Sequence, residues 1–248
     1  MYKYSVFLFL FIVVGCKPDR HCDFMFNSPT KTLCATGEMD PDNKETSRFT
    51  FWDLTDNKEL DQAGFYVNGL RNSSWTYIVN GAPVQIDWGA YEDKNLHFKT
   101  NLFANADSTK YGDFYTTLQY KTDKGKVNIT ITINSPLKDS FPEKNYRLLA
   151  ERQFASINCD ILEMNQKRFG NKDLHIYAFD IALRKKNLPD TGVYYLKTAF
   201  GRIGNDYIEF AVSYHNRDNY YAAILFEGVL TNFYLSGRRL FNPFTSFR

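Results

Sequence analysis

The chain reads as an α+β protein, mostly antiparallel β-sheet with two covering helices in its C-terminal half. Three observations predict this. Aromatic residues are abundant, with 22 Phe, 17 Tyr and 3 Trp, and such side chains suit pleated, half-buried strands better than helices. From Arg48 onward, short runs of alternating apolar and polar residues recur between Asn, Gly, Pro and Asp clusters, the pattern of strands joined by turns. Two later stretches change to the three- and four-residue spacing of a helix.

The elements follow in order. Residues 16 to 46 are polar and turn-rich, with "KPDRHCD" and "TGEMDPDNKE" carrying much of the Pro, Asp and Lys, and they are expected to form a tether. Residues 47–109 form a β-rich region whose strands are "RFTFWDL", "GFYVNG", "SSWTYIV", "APVQIDW" and "LHFKTNLF". Residues 110–248 form a second, α+β unit. It opens with "GDFYTTLQY" and "KVNITITINS" around a Thr122-Asp123-Lys124-Gly125 turn. Val127, Ile129, Ile131 and Ile133 alternate strictly with Asn and Thr, so one face is buried and one wet.

Ser140-Phe141-Pro142-Glu143 then has the spacing of a capping box, and Tyr146, Leu149, Ala150, Phe154 and Ile157 recur at helical intervals. "CDILEMNQKRF" is expected to be a strand, because Gly170-Asn171 then serves as a hairpin turn. "LHIYAFDIAL", "GVYYLKTAF" and "YIEFAVSYH" follow, the last two separated by Gly204-Asn205. In the final helix Ala222, Leu225, Phe226, Val229 and Phe233 make one apolar stripe, with Asp218 as cap and Ser236-Gly237 as stop. Glu227 and Asn232 fall off that stripe and are expected in solvent.

The N-terminus carries an address. The uninterrupted apolar run Val6 to Val14 is nine residues, whereas a spanning helix needs roughly 20. Lys3 precedes it and a polar segment follows, the layout of a cleavable leader. Its end, Val13-Val14-Gly15-Cys16, resembles the lipobox of bacterial lipoproteins. That resemblance implies a signal peptide over residues 1–15, diacylglycerol on the Cys16 thiol, and cleavage just before it. It also implies a mature protein anchored by its lipid in the cell envelope of a Gram-negative bacterium, with the outer membrane as expected address. Two or three acyl chains, at roughly 0.8 kcal/mol per buried CH₂, anchor stably where one is marginal.

Charge excludes one class of partner. Lys and Arg number 30 against 28 Asp and Glu, and losing Lys3 with the leader leaves 29 against 28, so no broad electrostatic footprint for nucleic acid exists. With Cys16 assigned to lipid, Cys22, Cys34 and Cys159 remain. Cys22 with Cys34 would close a short loop worth about 3 kcal/mol; Cys34 with Cys159 is the alternative, and three thiols leave one over. No C-x-x-C or H-x-x-x-H spacing exists, so no metal and no cofactor are expected.

Two further resemblances bear on fold. Residues 110 to 238 resemble the PsbP-like α/β/α sandwich in element order and hydrophobic pattern, and the resemblance implies a binding or assembly factor rather than an enzyme. "GFYVNGLRNSSWTYIVNG" looks like one MORN-type repeat through Gly64, Tyr66, Asn68, Gly69, Trp75, Tyr77, Asn80 and Gly81, with Ser73 in place of a Gly. An ordinary hairpin with a packed Trp75 explains the same residues, since single repeats bury too little to stand alone.

Catalytic signatures are missing. There is no Gly-x-Ser-x-Gly elbow, Ser-x-x-Lys pair or zinc-protease helix. His21 falls in the tether, His97 and His175 in strands, and His215 before the last helix. Glu92-Asp93 reads as a charged turn. Asp107-Ser108-Thr109 resembles the acceptor of a general O-glycosylation system, with Ser108 as the modified residue in a polar loop. The C-terminal "SGRRLFNPFTSFR" offers Arg238, Arg239 and Arg248 with Phe241, Phe244 and Phe247, for a membrane or partner contact or for folding back on the core. The expectation is therefore a non-catalytic binding or assembly role, with the membrane as partner through the lipid and an envelope protein as candidate partner. A hydrolase with dispersed residues near His97 or His175, and a purely structural surface lipoprotein, are the alternatives.

Overall fold

In the computed structural model the described residues are 22–28, 31–42, 44–54, 59–134, 151, 154–156, 158–169, 176–186, 192–240 and 242–246. The inward Phe26, Leu33 and Ala35, all buried, draw the start of the chain into strands β1 (Phe24–Asn27) and β2 (Thr32–Thr36). Most of the expected tether is thus folded: four- and five-residue alternations among charged residues were too short to stand out. β3 (Arg48–Asp53), β4 (Leu60–Val67), β5 (Leu70–Val79), β6 (Ala82–Asp93) and β7 (Phe98–Phe103) continue as antiparallel neighbours. Asn68-Gly69 and Asn80-Gly81, all four at positive φ, close two of these hairpins in the turn whose twist matches the strands.

The second sheet holds β8 (Ser108–Tyr111), β9 (Tyr115–Thr122), β10 (Gly125–Ile133), β11 (Cys159–Phe169), β12 (Ile176–Lys185), β13 (Tyr194–Ile203) and β14 (Asp206–Tyr214). Its order is β11-β12-β13-β14-β10-β9-β8, all antiparallel. Helix α1 (Tyr220–Thr231) follows. The chain then leaves this sheet: β15 (Tyr234–Leu235), β16 (Arg238–Arg239) and β17 (Phe244–Ser246) join the two edges of the first sheet, β15 beside β7 and β17 beside β1. One of the two sheets is a half-barrel. Residues 110–248 therefore do not form one unit, because the last three strands complete the first sheet. Phe244 folds back on Phe24, Phe26, Phe49 and Phe51 with ring centroids 5.2 to 6.1 Å apart.

Of the two covering helices expected, α1 is the one substantial helix among the described residues. Glu151 and residues 154–156 are helical, and Phe154 packs with Phe179, Ile181 and Phe200 on the far face of the second sheet; the rest of that expected helix, like the Gly170-Asn171 turn, lies outside the described residues. Helix α1 starts from Asn219 rather than Asp218 and ends at Thr231, while Ser236-Gly237 is the positive-φ turn between β15 and β16.

The setting of α1 overturns the expectation for its polar residues. Both sheets pack on it, and the stripe Ala222, Leu225, Phe226, Val229 and Phe233 is buried, but so are Glu227, Thr231 and Asn232. From Leu225 to Phe233 every residue is buried, so this stretch has no wet face, whereas Tyr220, Tyr221, Ala223 and Ile224 are half-buried. Gly228 lets the sheet come closest, since a Cβ there would lie 2.1 Å from the Trp88 ring. The Asn232 side chain donates to the Gly228 carbonyl at 2.8 Å and to Thr231 Oγ1 at 3.0 Å. Asn232→Ala, which would be silent on an exposed face, is expected to cost about 1–3 kcal/mol in urea unfolding.

Cys22 and Cys34 are joined in a disulfide with Cα atoms 5.5 Å apart, pinning the chain entry to β2. Cys159 lies buried in the second cluster, beside Phe154 and Phe179.

Candidate functional site

Strand register gives the molecule two ends. At one end lie the chain entry before Phe24, the β2–β3 connection, and the turns β4–β5, β6–β7, β8–β9, β13–β14 and β15–β16. The opposite end carries the β5–β6 and β9–β10 turns and the start of α1. Each end has a cleft.

The cleft at the entry end has a volume of about 800 Å³ and includes His97, Glu92, Asp93, Lys94 and Lys99. His97 is an exposed residue of the β6–β7 turn at φ 56° rather than a strand residue, and its carbonyl accepts the Ser236 N–H at 2.9 Å. Its neighbouring carboxylates are engaged elsewhere. Asp93 accepts the amides of Asn95 and Leu96 at 2.9 Å each and the Thr116 hydroxyl at 2.5 Å, and Glu92 stands opposite Lys99 in the β6–β7 ladder. Among the described residues no hydrogen bond joins the His97 ring to either carboxylate.

The cleft at the opposite end is about 670 Å³, and the first turn of α1 sits in its wall. Tyr220 and Tyr214 supply flat apolar faces; Tyr220 stacks on Tyr221 at 4.4 Å and Tyr214 on Tyr195 at 5.5 Å. Asn219, 3% exposed, donates weakly to the Lys124 carbonyl at 3.4 Å and leaves its own Oδ1 with no protein donor. Lys124, Lys197 and Arg217 add cations, of which Lys197 pairs with Asp180 at 2.7 Å and Arg217 with Glu163 at 3.3 Å. Burial, with Asp180 nearby, pushes the Tyr214 phenol up to about 12, so at neutral pH it is a hydrogen-bond donor and no nucleophile. Aromatic faces bordered by amides and cations, with Asp218 also in the lining, can hold a ligand.

Between the ends runs a closed polar core. Arg71, 1% exposed, has the same strand parity as Trp75 and Tyr77, and that was its one signal in the sequence. Its guanidinium donates to Tyr77 Oη at 2.7 Å and to Glu227 at 3.4 Å, and it lies 4.7 and 5.2 Å from the ring centroids of Trp75 and Trp88. Glu227 also accepts from Ser28 Oγ at 2.9 Å and Gln62 at 3.4 Å. A second buried pair, Arg239 with Glu45 at 2.9 Å, ties the last turn of α1 to the β2–β3 connection, since Arg239 also donates to the Thr231 carbonyl at 2.8 Å. Burial pushes the Glu45 carboxyl upward despite its partner. Arg71, Glu227 and Glu45 are buried and Arg239 is mostly so, so these pairs specify how the helix seats.

The remaining residues singled out in the sequence are dispersed. Cys16, His21 and His175 lie outside the described residues. Ser108 is exposed, but it begins edge strand β8 rather than lying in a loop, and Asp107 beside it accepts the Lys121 amide. His215 is exposed, with its ring 4.3 Å from that of Tyr194. Trp75 is core, and its Nε1 donates to the Phe65 carbonyl at 3.1 Å. Among the described residues no three His, Cys, Asp or Glu side chains gather as metal ligands, and no helix is long and apolar enough to cross a membrane.

No family model matches the chain, and no curated protein matches it in sequence. Among solved structures it is similar to the solution structure of cyanobacterial PsbP (CyanoP) from Synechocystis sp. PCC 6803, with 13% identity and a TM-score of 0.35, over 60% of this chain and 92% of that one. It is also similar to the crystal structure of PA94, a Pseudomonas aeruginosa protein of unknown function, with 7% identity and a TM-score of 0.34, over 56% of this chain and 90% of that one.

Proposed function

We propose that the protein is a lipid-anchored component of the bacterial cell envelope with a non-catalytic binding role, and that its ligand or protein partner seats in the cleft at the start of α1. The observation that carries the choice of binding over hydrolysis is the state of the carboxylates beside His97: one is committed to three structural hydrogen bonds and the other faces a lysine. A general base needs a proton acceptor with a free lone pair and a positioned partner. The tyrosine cleft, with aromatic faces bordered by Lys124, Lys197 and Arg217, suits a binding role instead.

The anchor rests on Val13-Val14-Gly15-Cys16. Cys16→Ala is expected to abolish incorporation of labelled palmitate and release from the membrane fraction should accompany it; label that still enters the Cys16→Ala protein would refute the anchor. For the cleft, a photo-crosslinking residue at position 220 in cells is expected to trap a discrete adduct that the same group at position 74, on an exposed strand position, does not. Equal trapping at both positions, or turnover of an envelope substrate that His97→Ala abolishes, would favour the hydrolase.

A further inference from the structure

We infer that the entry end of the molecule rests on the bilayer, and that the tip of the β8–β9 hairpin, Tyr111 to Tyr115, places its aromatic side chains among the lipid headgroups. For the nearness of the membrane this rests on the lipid-anchor reading; for the surface it rests on the fold.

Exposed apolar side chains are unevenly placed. Seven large ones are exposed among the described residues. Phe65, Val67, Tyr111, Phe114 and Tyr115 lie toward the entry end, as their partners Arg48, Leu70, Thr116 and Thr132 establish. Only Leu54 and Leu162 lie toward the other. Tyr111, at 63% exposure, is the most open of the seven. Three of the five occupy one hairpin tip, held rigid by the Gly112 amide to the Tyr115 carbonyl at 2.8 Å and the Ile133 amide to the Phe114 carbonyl at 2.8 Å. Tyrosine and phenylalanine presented in this way suit the headgroup level of a bilayer, where an apolar ring and a polar tip are both satisfied.

Chain length supplies the second argument. Cys22 lies six positions after Cys16, and six steps of roughly 3.3–3.6 Å each reach about 20 Å when fully extended. The 12-residue strand β6, at about 3.3 Å per residue, is roughly 40 Å long. A lipid on Cys16 can therefore hold only the entry end at the membrane, and the tyrosine cleft points away from it. Charge does not supply the attraction. Lys94, Lys110 and Arg238 at this end are offset by Glu38, Asp40 and Asp113, so contact is apolar and should depend little on salt or on anionic lipid.

The test uses full-length protein, purified from labelled membranes into phosphatidylcholine vesicles with brominated acyl chains, and compares Phe114→Trp with Leu54→Trp. The wild-type signal from Trp52, Trp75 and Trp88 serves as background for both. Severalfold stronger quenching at position 114 than at 54, unchanged in high salt, is the expected result. Equal quenching at the two positions overturns the inference, as does a blue-shifted but unquenched signal at 114, which would put a protein there. Palmitate content measured on the same samples separates the two readings. Lipidated protein without quenching at 114 overturns this inference and leaves the anchor, whereas unlipidated protein that binds vesicles and is quenched at 114 upholds this inference and removes the anchor.

Discussion

Arg71→Leu is expected to destabilise the protein by about 3–5 kcal/mol, because it removes one member of a buried ion pair and leaves the other uncompensated. Glu227 would lose its guanidinium partner while Ser28 and Gln62 still donate to it, and Tyr77 would lose its 2.7 Å donor. The double variant Arg71→Leu with Glu227→Gln should recover a large part of that loss, since a neutral amide does not demand a counter-charge. Urea unfolding of the wild type, both single variants and the double variant closes the cycle. Strict additivity of the two single losses would show that the pair is not coupled, and the helix would then be seated by apolar packing alone.

Trp75→Ala is expected to cost about 3–5 kcal/mol through the cavity left by a fully buried indole. Trp75 has no exposed surface; its ring meets Tyr66 edge-on at 5.0 Å and lies 5.9 Å from Phe51. It also forms one wall around the Arg71 guanidinium, so its loss should exceed that of an isolated core aromatic of equal area. Trp75→Phe, which keeps most of the volume but not the bond to the Phe65 carbonyl, should lose roughly 1–2 kcal/mol. A loss below about 1 kcal/mol for Trp75→Ala in the same denaturant series would show that the core closes over the gap, contrary to the usual cavity cost.

Several elements could be read without coordinates because their determinants are local. The alternation of Val127 to Ile133 makes β10, and Asn-Gly dipeptides at 68–69 and 80–81 make the turns that set the register of β4, β5 and β6. The spacing of Ala222, Leu225, Phe226 and Val229 makes α1, and Phe233, the last member of the expected stripe, lies just past its end. Each depends on residues within one or two turns of one another, where backbone sterics and side-chain direction are enough.

What lay beyond the sequence depends on partners far along the chain. Whether Glu227 and Asn232 are wet is settled by two sheets closing on the same helix, through contacts such as Glu227 to Ser28, 199 residues apart. A helical stripe reports one buried face and cannot say that the opposite face is buried too. The return of β15 and β17 to the edges of the first sheet, which breaks the apparent division near residue 110, rests on the pairing of two- and three-residue strands too short to show periodicity. The two clefts come from the ends of strands brought together by register. Histidine 97 and its neighbours were adjacent in sequence from the start, but only the tertiary structure spends Asp93 on a turn and on Thr116, and Tyr214, Asn219 and Lys124 become neighbours only because antiparallel pairing and helix burial lower the free energy more than any local preference of those residues.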